Sequence, residues 1–579
     1  MRKRKIIKKT MEQRAITIIA LVVTIVIILI LAGITVGMVT SDNGIIKETK
    51  EAKLQAEIEN EKSILGRATM LTRMREKNGI ITRDGLAMAL KDEAGNNKTE
   101  VSEAGKVFEV LFVESNRYYE VDKDGIVGDE KQIIKVEDPG DITKNGECDG
   151  SKNKPYEINC IEDLVSLSNW VNGSGRRLKN GKVVEIETSD TFEEKYIVLK
   201  RDLNFESKYS YVDSTRTDFG DINGDDTDGN ALITEMTTGT GFVPIGKYNI
   251  QGDHFKGNFN GENHKIENLY INSNNIEAVG LFGCVNATVS DYIEIGNFEI
   301  SGNINCTFPT DDETKAPKIG VIGLIGGSTT SSEKNVKISN IKSNCNIKGN
   351  NVRLSYEGGI IGSAYLRDDN KISIENCSVE NSQIFVSGEH NKIGGLVGGA
   401  WSELQTNGSI TIKNSYAKCN IEIDDPKKSY HSAAGGIIGD ASAGGANVTI
   451  ENSYFIGEIK CLKSNGGIIG RIAGVSEKKS QINLNNVYTA SEIKVGEYNG
   501  GIIGKEENTQ CKVVLNNLYY NYEKAIGTNK LTDIVETNVN KVTTSNLKNE
   551  AFITTLNNNI TSQDWRRWKL GSDKYPTFE

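Results

Sequence analysis

A short glycine phrase recurs seven times between Gly280 and Gly504, and it limits what this chain can become. It reads G-L-F-G from Gly280 and G-L-I-G from Gly323. It then becomes G-G-I-I-G or G-G-L-V-G around Gly359, Gly395, Gly436, Gly467 and Gly501. Counted on those glycines, the spacings are 43, 36, 36, 41, 31 and 34 residues. A period of this size means stacked supersecondary units, none of which buries its apolar face alone. Glycine belongs where backbone turns sharply or where layers approach closely.

A second mark follows each glycine unit by 16 to 19 residues. It is an alternating run ending in asparagine, such as Val336-Lys-Ile-Ser-Asn340 or Ile372-Ser-Ile-Glu-Asn376. The same phrase ends at Asn414, Asn452, Asn486 and Asn517, and in looser form at Asn268 and Asn297. Strict alternation of branched apolar and polar residues predicts half-buried strands. By strand parity each Asn shares the inward face with the apolar positions. Stacking would set amide on amide, as a ladder at a solenoid corner; a solvated turn is the alternative. An inward amide left without a partner costs about 1–3 kcal/mol.

These repeats resemble the GLUG motif of bacterial surface proteins and adhesins, over residues 255–522. Val279 and Ile322 stand where that motif has its leading glycine. The resemblance implies a mainly β fold, a parallel β-solenoid (β-helix), displayed at a cell surface for adhesion. Eight coils at about 4.8 Å give a stack of roughly 40 Å.

The first 14 residues are basic, and residues 15–40 are almost wholly apolar. That length predicts a single-pass transmembrane helix, with the N-terminus cytoplasmic and the bulk extracellular. The run from Ala15 into Asn43-Gly-Ile-Ile-Lys is similar to the N-terminal helix of type IV pilin-like proteins of Gram-positive bacteria. The resemblance implies prepilin processing between Ala15 and Ile16, although Ala15 and Ala20 replace that family's Gly and Glu. An uncleaved anchor is the alternative. Other pilin-like subunits then become expected partners, in a pilus-like surface fibre.

Further divisions follow from composition and period. Residues 41–80 read as a helical stalk with Ile46, Leu54, Ile58 and Leu65 on one face. Residues 81–137 read as a small α+β domain of pilin-like kind, and 138–155 as a linker. Residues 156–250 lead into the solenoid and cap it; residues 161–171 form an amphipathic helix suited to closing the open end. Residues 251–525 are the repeat solenoid. Residues 526–579 lose the period, gather Trp565, Trp568 and Phe578, and read as the second cap.

Chemistry is sparse. With 68 basic and 78 acidic residues and no basic face beyond the leader, nucleic acid is not an expected partner. The nine cysteines form no C-x-x-C pair and read as buried free thiols. The four histidines fit no zinc or nucleophile motif, and no phosphate loop or dinucleotide fingerprint is present. His264 reads as an inward structural histidine. Asp221, Asn223 and Asp225 imitate the first half of an EF-hand loop, a candidate calcium site. Asp226 replaces its turn glycine, so an acidic solvated loop is the default and no other cofactor is expected.

Three functional readings follow. The first is a non-catalytic solenoid contacting a glycan or protein, with Trp401 the foremost binding residue and residues 307–318 and 401–408 as contact loops. The second is a structural pilin-like subunit or spacer. The third is a carbohydrate-active lyase or glycosidase, which needs paired carboxylates, or Asp with Arg or Lys, on one groove.

Overall fold

The computed structural model describes residues 45–579, apart from 134–135, 137–138, 180–181, 187, 218–229, 249–253, 275, 288–291, 308–314, 327–334, 368, 403–407, 444–445, 474–479, 508–510 and 526–533. Side chains of residues 45–50, 145, 442–443 and 534–538 also lie outside the described set. The chain divides into two compact units, residues 1–134 and 135–579.

In the first unit, helix α1 (Ile45–Arg75) and helix α2 (Arg83–Ala94) pack with an antiparallel sheet. Its strands run in sequence order: β1 (Thr99–Ala104), β2 (Val107–Phe112), β3 (Arg117–Asp122) and β4 (Val127–Gln132). Thr82 caps α2 by accepting from the Gly85 amide. The buried stripe of α1 is Ile58, Glu61, Leu65, Ala68 and Thr72. Leu54, expected on that stripe, is 41% exposed; Glu61 holds the face instead. Arg117 Nε and Nη2 donate to the Glu61 carboxylate at 2.8 and 2.9 Å, and the Tyr119 hydroxyl donates at 2.6 Å. Burial pushes the Glu61 carboxyl up, but Arg117, Ser115 and Tyr119 outweigh it, so it sits below its ordinary range.

The expected single-pass membrane localisation is corrected. Among the described residues no helix is long and apolar enough to cross a membrane. The first described helix, α1, carries a mixed-charge surface. The apolar stretch 15–40 and the processing pair Ala15 and Ile16 lie outside the described residues.

The second unit is mainly β, with three parallel sheets that share coils, as in a β-helix. Seven successive coils each contribute one strand to a first short sheet, one to a second short sheet, and a long strand or pair of strands to a third. Coil four shows the plan: Lys392–Gly394, Val397–Ser402, then Ser409–Lys413 and Tyr416–Asp424. Neighbouring coils pair in register, Ile372 with Ile410 and Ile410 with Val448. The side chains pointing inward form one continuous apolar core from Ile142 to Ala525. Each fully buried Ile or Val there contributes about 1.5–3 kcal/mol.

Strand pairing shifts the second glycine unit. Phe282 faces Ile322 and Cys284 faces Leu324, so Gly283 matches Gly323. The phrase of that coil is therefore Gly320-Val-Ile-Gly323, 40 residues after Gly280, with Ile319 rather than Ile322 before it. The leading glycines sit where coils nearly touch. A Cβ on Gly395 would lie 2.1 Å from the Gly436 carbonyl oxygen, and one on Gly436 would lie 2.2 Å from that of Gly467.

At the N-terminal end, the helix Ile161–Asn172 is buried on nearly every side, not on one face only. Its two first-turn carboxylates make this possible. Glu162 Oε1 accepts from the amides of Val212 and Asp213, and Asp163 accepts from those of Gly140 and Asn159. These backbone donors tie linker and loop to the buried helix through its carboxylates.

Candidate functional site

The eight ladder asparagines, 268, 297, 340, 376, 414, 452, 486 and 517, all take the left-handed conformation, with φ between 44° and 60°. Asparagine tolerates that region better than other residues with a Cβ. The reversal breaks strand parity: Ile293 and Ile295 are buried, then Phe298 and Ile300. Asparagine is therefore left outside the coil, not inside it as parity alone implied. Asn340 Nδ2 donates to Asn297 Oδ1, Asn452 to Asn414 and Asn486 to Asn452, each at 2.8 Å. Asn297 and Asn268 donate to Asn260 and Asn204 instead. Asn376 interrupts the line, its Oδ1 buried without a partner among the described residues.

Of the C-terminal residues, Ile534–Val542 pairs in parallel with Lys512–Asn521 at the end of the stack, and the residues from Thr544 onward lie elsewhere. Those later residues lie along this outer flank. Asn414 donates to the Asp564 carbonyl and Asn452 to that of Arg566, while Trp568 Nε1 donates to Asn452 Oδ1 at 2.7 Å. The cause is a column of tyrosines two residues past Asn414, Asn452 and Asn486. Tyr416, Tyr454 and Tyr488 stack at 4.5 and 5.0 Å and meet Trp568, Phe578 and Phe552. The ladder and its covered flank are framework.

The outer face of the two short sheets differs, because its residues do not repeat. Along the first sheet the register aligns Lys318, Tyr356, Lys392, Ala433, Ser464 and Tyr498. Along the second it aligns Cys284, Leu324, Ser363, Gly399, Asp440, Arg471 and Lys505. Two residues further on, Tyr365 pairs with Trp401.

One end of this face is aromatic. The Trp401 and Tyr365 rings lie 4.1 Å apart, and Trp401 Nε1 donates to Ser363 Oγ at 2.9 Å. Cys284, Leu324 and Tyr365 form a small apolar cluster apart from the main core, with half-buried Trp401 against it. The other end is charged. Arg471 donates to Asp440 and to His431 Nδ1, and reaches Glu507 Oε2 at 3.2 Å. Lys505 Nζ lies 2.6 Å from Glu507 Oε1 and 3.9 Å from the centre of the Tyr430 ring. Burial, Arg471 and Lys392 hold the His431 imidazole below its ordinary range, which suits an Nδ1 that accepts. Lys392 Nζ sits 4.8 Å from the Tyr356 ring, and burial lowers its ammonium to about 8.

Of the sequence-predicted site residues, only Trp401 joins this face. Asp221, Asn223 and Asp225 lie outside the described residues, as do 308–314 and 403–407 of the two contact loops. Among the described residues no group of three His, Cys, Asp or Glu is placed to hold a metal ion. His264 is half-exposed rather than inward, with Nδ1 3.1 Å from Asp202 Oδ1. All nine cysteines are free thiols and eight are buried; burial pushes Cys345, Cys377 and Cys419 up to about 12. Sequence reasoning missed Lys392, Asp440, Arg471 and Lys505. A signal existed: Asp440, Arg471 and Lys505 each directly follow the closing glycine of their repeat unit.

No family model matches the chain. It is similar to Halomucin of Haloquadratum walsbyi, 26% identical over 159 residues; the match takes in 27% of this chain and 1% of Halomucin. Among solved structures it is similar to a Bacteroides ovatus protein provisionally named an immunoglobulin A1 protease. That likeness has 18% identity and a TM-score of 0.35, over 75% of this chain and 94% of the other. It is too loose to carry an argument.

Proposed function

We propose that this chain is a non-catalytic surface protein of the GLUG-repeat kind, and that the outer face of its short sheets contacts a glycan. The observation behind this is the Trp401–Tyr365 pair, placed in register beside the charged row on a framework that otherwise repeats. Sugar rings stack on aromatic faces, while neighbouring charged and amide groups take their hydroxyls. A binding protein needs such a face held rigid, and stacked coils supply that rigidity. Titration of the full chain with an oligosaccharide array tests the reading. Binding that falls about tenfold in Trp401→Ala, worth about 1.4 kcal/mol, supports it. No glycan bound, or binding indifferent to that change, contradicts it.

A catalytic reading has one observation in its favour: Asp440, Arg471 and Lys392 share one face. Release of sugar fragments by the full chain, lost in Asp440→Asn, is its mark. The pilin-like subunit reading draws on the helix and small sheet of the first unit; co-purification with other pilins in sheared surface fibres is its mark.

A further inference from the structure

The charged end of the short-sheet face is incomplete as it stands. Arg471 is engaged by Asp440 and Glu507, and Lys505 by Glu507. Lys392 has no such partner. It is 2% exposed, and among the described residues no carboxylate comes within ion-pair distance of its ammonium. The Tyr356 ring, centred 4.8 Å away, supplies only part of a counter-charge. Asp440 is likewise half-used: it is 1% exposed, and among the described residues its Oδ1 has no hydrogen-bond partner. Leaving a buried ammonium and a buried carboxylate oxygen unmatched is costly, and proteins keep such groups where something else completes them.

Beside these groups bare backbone seats an aromatic ring. Gly399 is in register with Asp440 and two residues before Trp401. A Cβ there would lie 2.3 Å from the Tyr356 ring, so the ring rests on the bare backbone of Gly399. An ammonium, a free acceptor and an aromatic platform thus line one short stretch of the face.

Resting on the glycan reading above, we propose that the ligand is an acidic carbohydrate. Its carboxylate or sulfate takes the Lys392 ammonium, a nearby hydroxyl donates to Asp440 Oδ1, and its ring lies against Trp401. Arg471 neutralises Asp440, so the acidic group meets no net repulsion there. Burial lowers the Lys392 ammonium more than the charges of Asp440, Glu357 and Glu507 raise it, and an anion supplied by the ligand adds to theirs.

Calorimetric titration of the full chain with matched pairs tests this: oligogalacturonate against its methyl ester, sialyllactose against lactose, and dextran sulfate against dextran. The expected result is at least one acidic member bound about tenfold or more tighter than its neutral partner. Lys392→Met, with unchanged circular dichroism, removes that preference; Lys392→Arg keeps most of it. Preference for the carboxylated or the sulfated member identifies the acidic group. Equal binding of acidic and neutral partners, or a preference that survives Lys392→Met, overturns the proposal while leaving the glycan reading in place. No binding of any of the six overturns both.

Discussion

Two faces of the same solenoid obey different rules. On the long-strand flank the repeat is nearly monotonous: alternating Ile and Val, then a left-handed asparagine bonded to the coil beside it. On the short-sheet face one position reads Cys, Leu, Ser, Gly, Asp, Arg and Lys from coil to coil. Both faces share the same tight glycine turn. Where each coil meets its own copy, the side chain is dictated by stacking. Where stacking asks only for a backbone, sequence is free to vary, and there charge and aromatic surface collect. Framework and candidate site are therefore separable by substitution.

The largest effect should come from the shared turn. In Gly436→Val the new Cβ meets the Gly467 carbonyl at 2.2 Å and the Phe455 ring at 2.4 Å, so the coils must part. We expect loss of cooperative melting, or destabilisation above about 4 kcal/mol, by circular dichroism. A small shift would mean that the turns are loose and the framework rule is wrong. Next is Arg471→Met, which strands buried Asp440 and the Glu507 carboxylate; about 3–5 kcal/mol is expected in denaturant unfolding. If the loss is below about 1 kcal/mol, the charged end is looser than its geometry implies.

A smaller, pH-dependent effect concerns Glu357, an interior neighbour of the site. Burial pushes its carboxyl up to about 8, against an ordinary 4.5, with Ser355 and Lys392 pulling the other way. The folded chain thus holds a proton that the unfolded chain releases. That contribution to stability is full below about pH 4.5 and fades as pH rises to about 8. Glu357→Gln should therefore match the parent near pH 4.5 and exceed it near pH 8, by a gap on the order of a few kcal/mol. Equal gaps at both pH values would show a carboxyl that titrates normally.

Much of the framework was legible because period and alternation are written into each repeat. Three features were not. Gly323-Leu-Ile-Gly326 fits the glycine phrase as well as Gly320-Val-Ile-Gly323 does, and only strand pairing selects between them. The outward asparagines escape a parity count, because one left-handed residue resets the pleat. Residues 526–579 read as an end cap, and Ile534–Val542 does end the third sheet, but the residues after it settle on a flank that Asn-x-Tyr in the last four repeats already marked. The site was hidden for another reason. Lys392, Asp440 and Arg471 are far apart in sequence, and only stacking across three coils unites them.

The separation of frame from face is tested most directly by one paired measurement, melting and glycan titration together on Asn340→Ala and Trp401→Ala. Asn340 bonds the ladder at 2.8 Å, and Trp401 sits on the short-sheet face. The account predicts that Asn340→Ala lowers stability by about 1 kcal/mol and leaves binding alone. It predicts that Trp401→Ala weakens binding about tenfold with little change in melting. The reverse pattern, binding lost with the ladder residue and kept without the tryptophan, would contradict it.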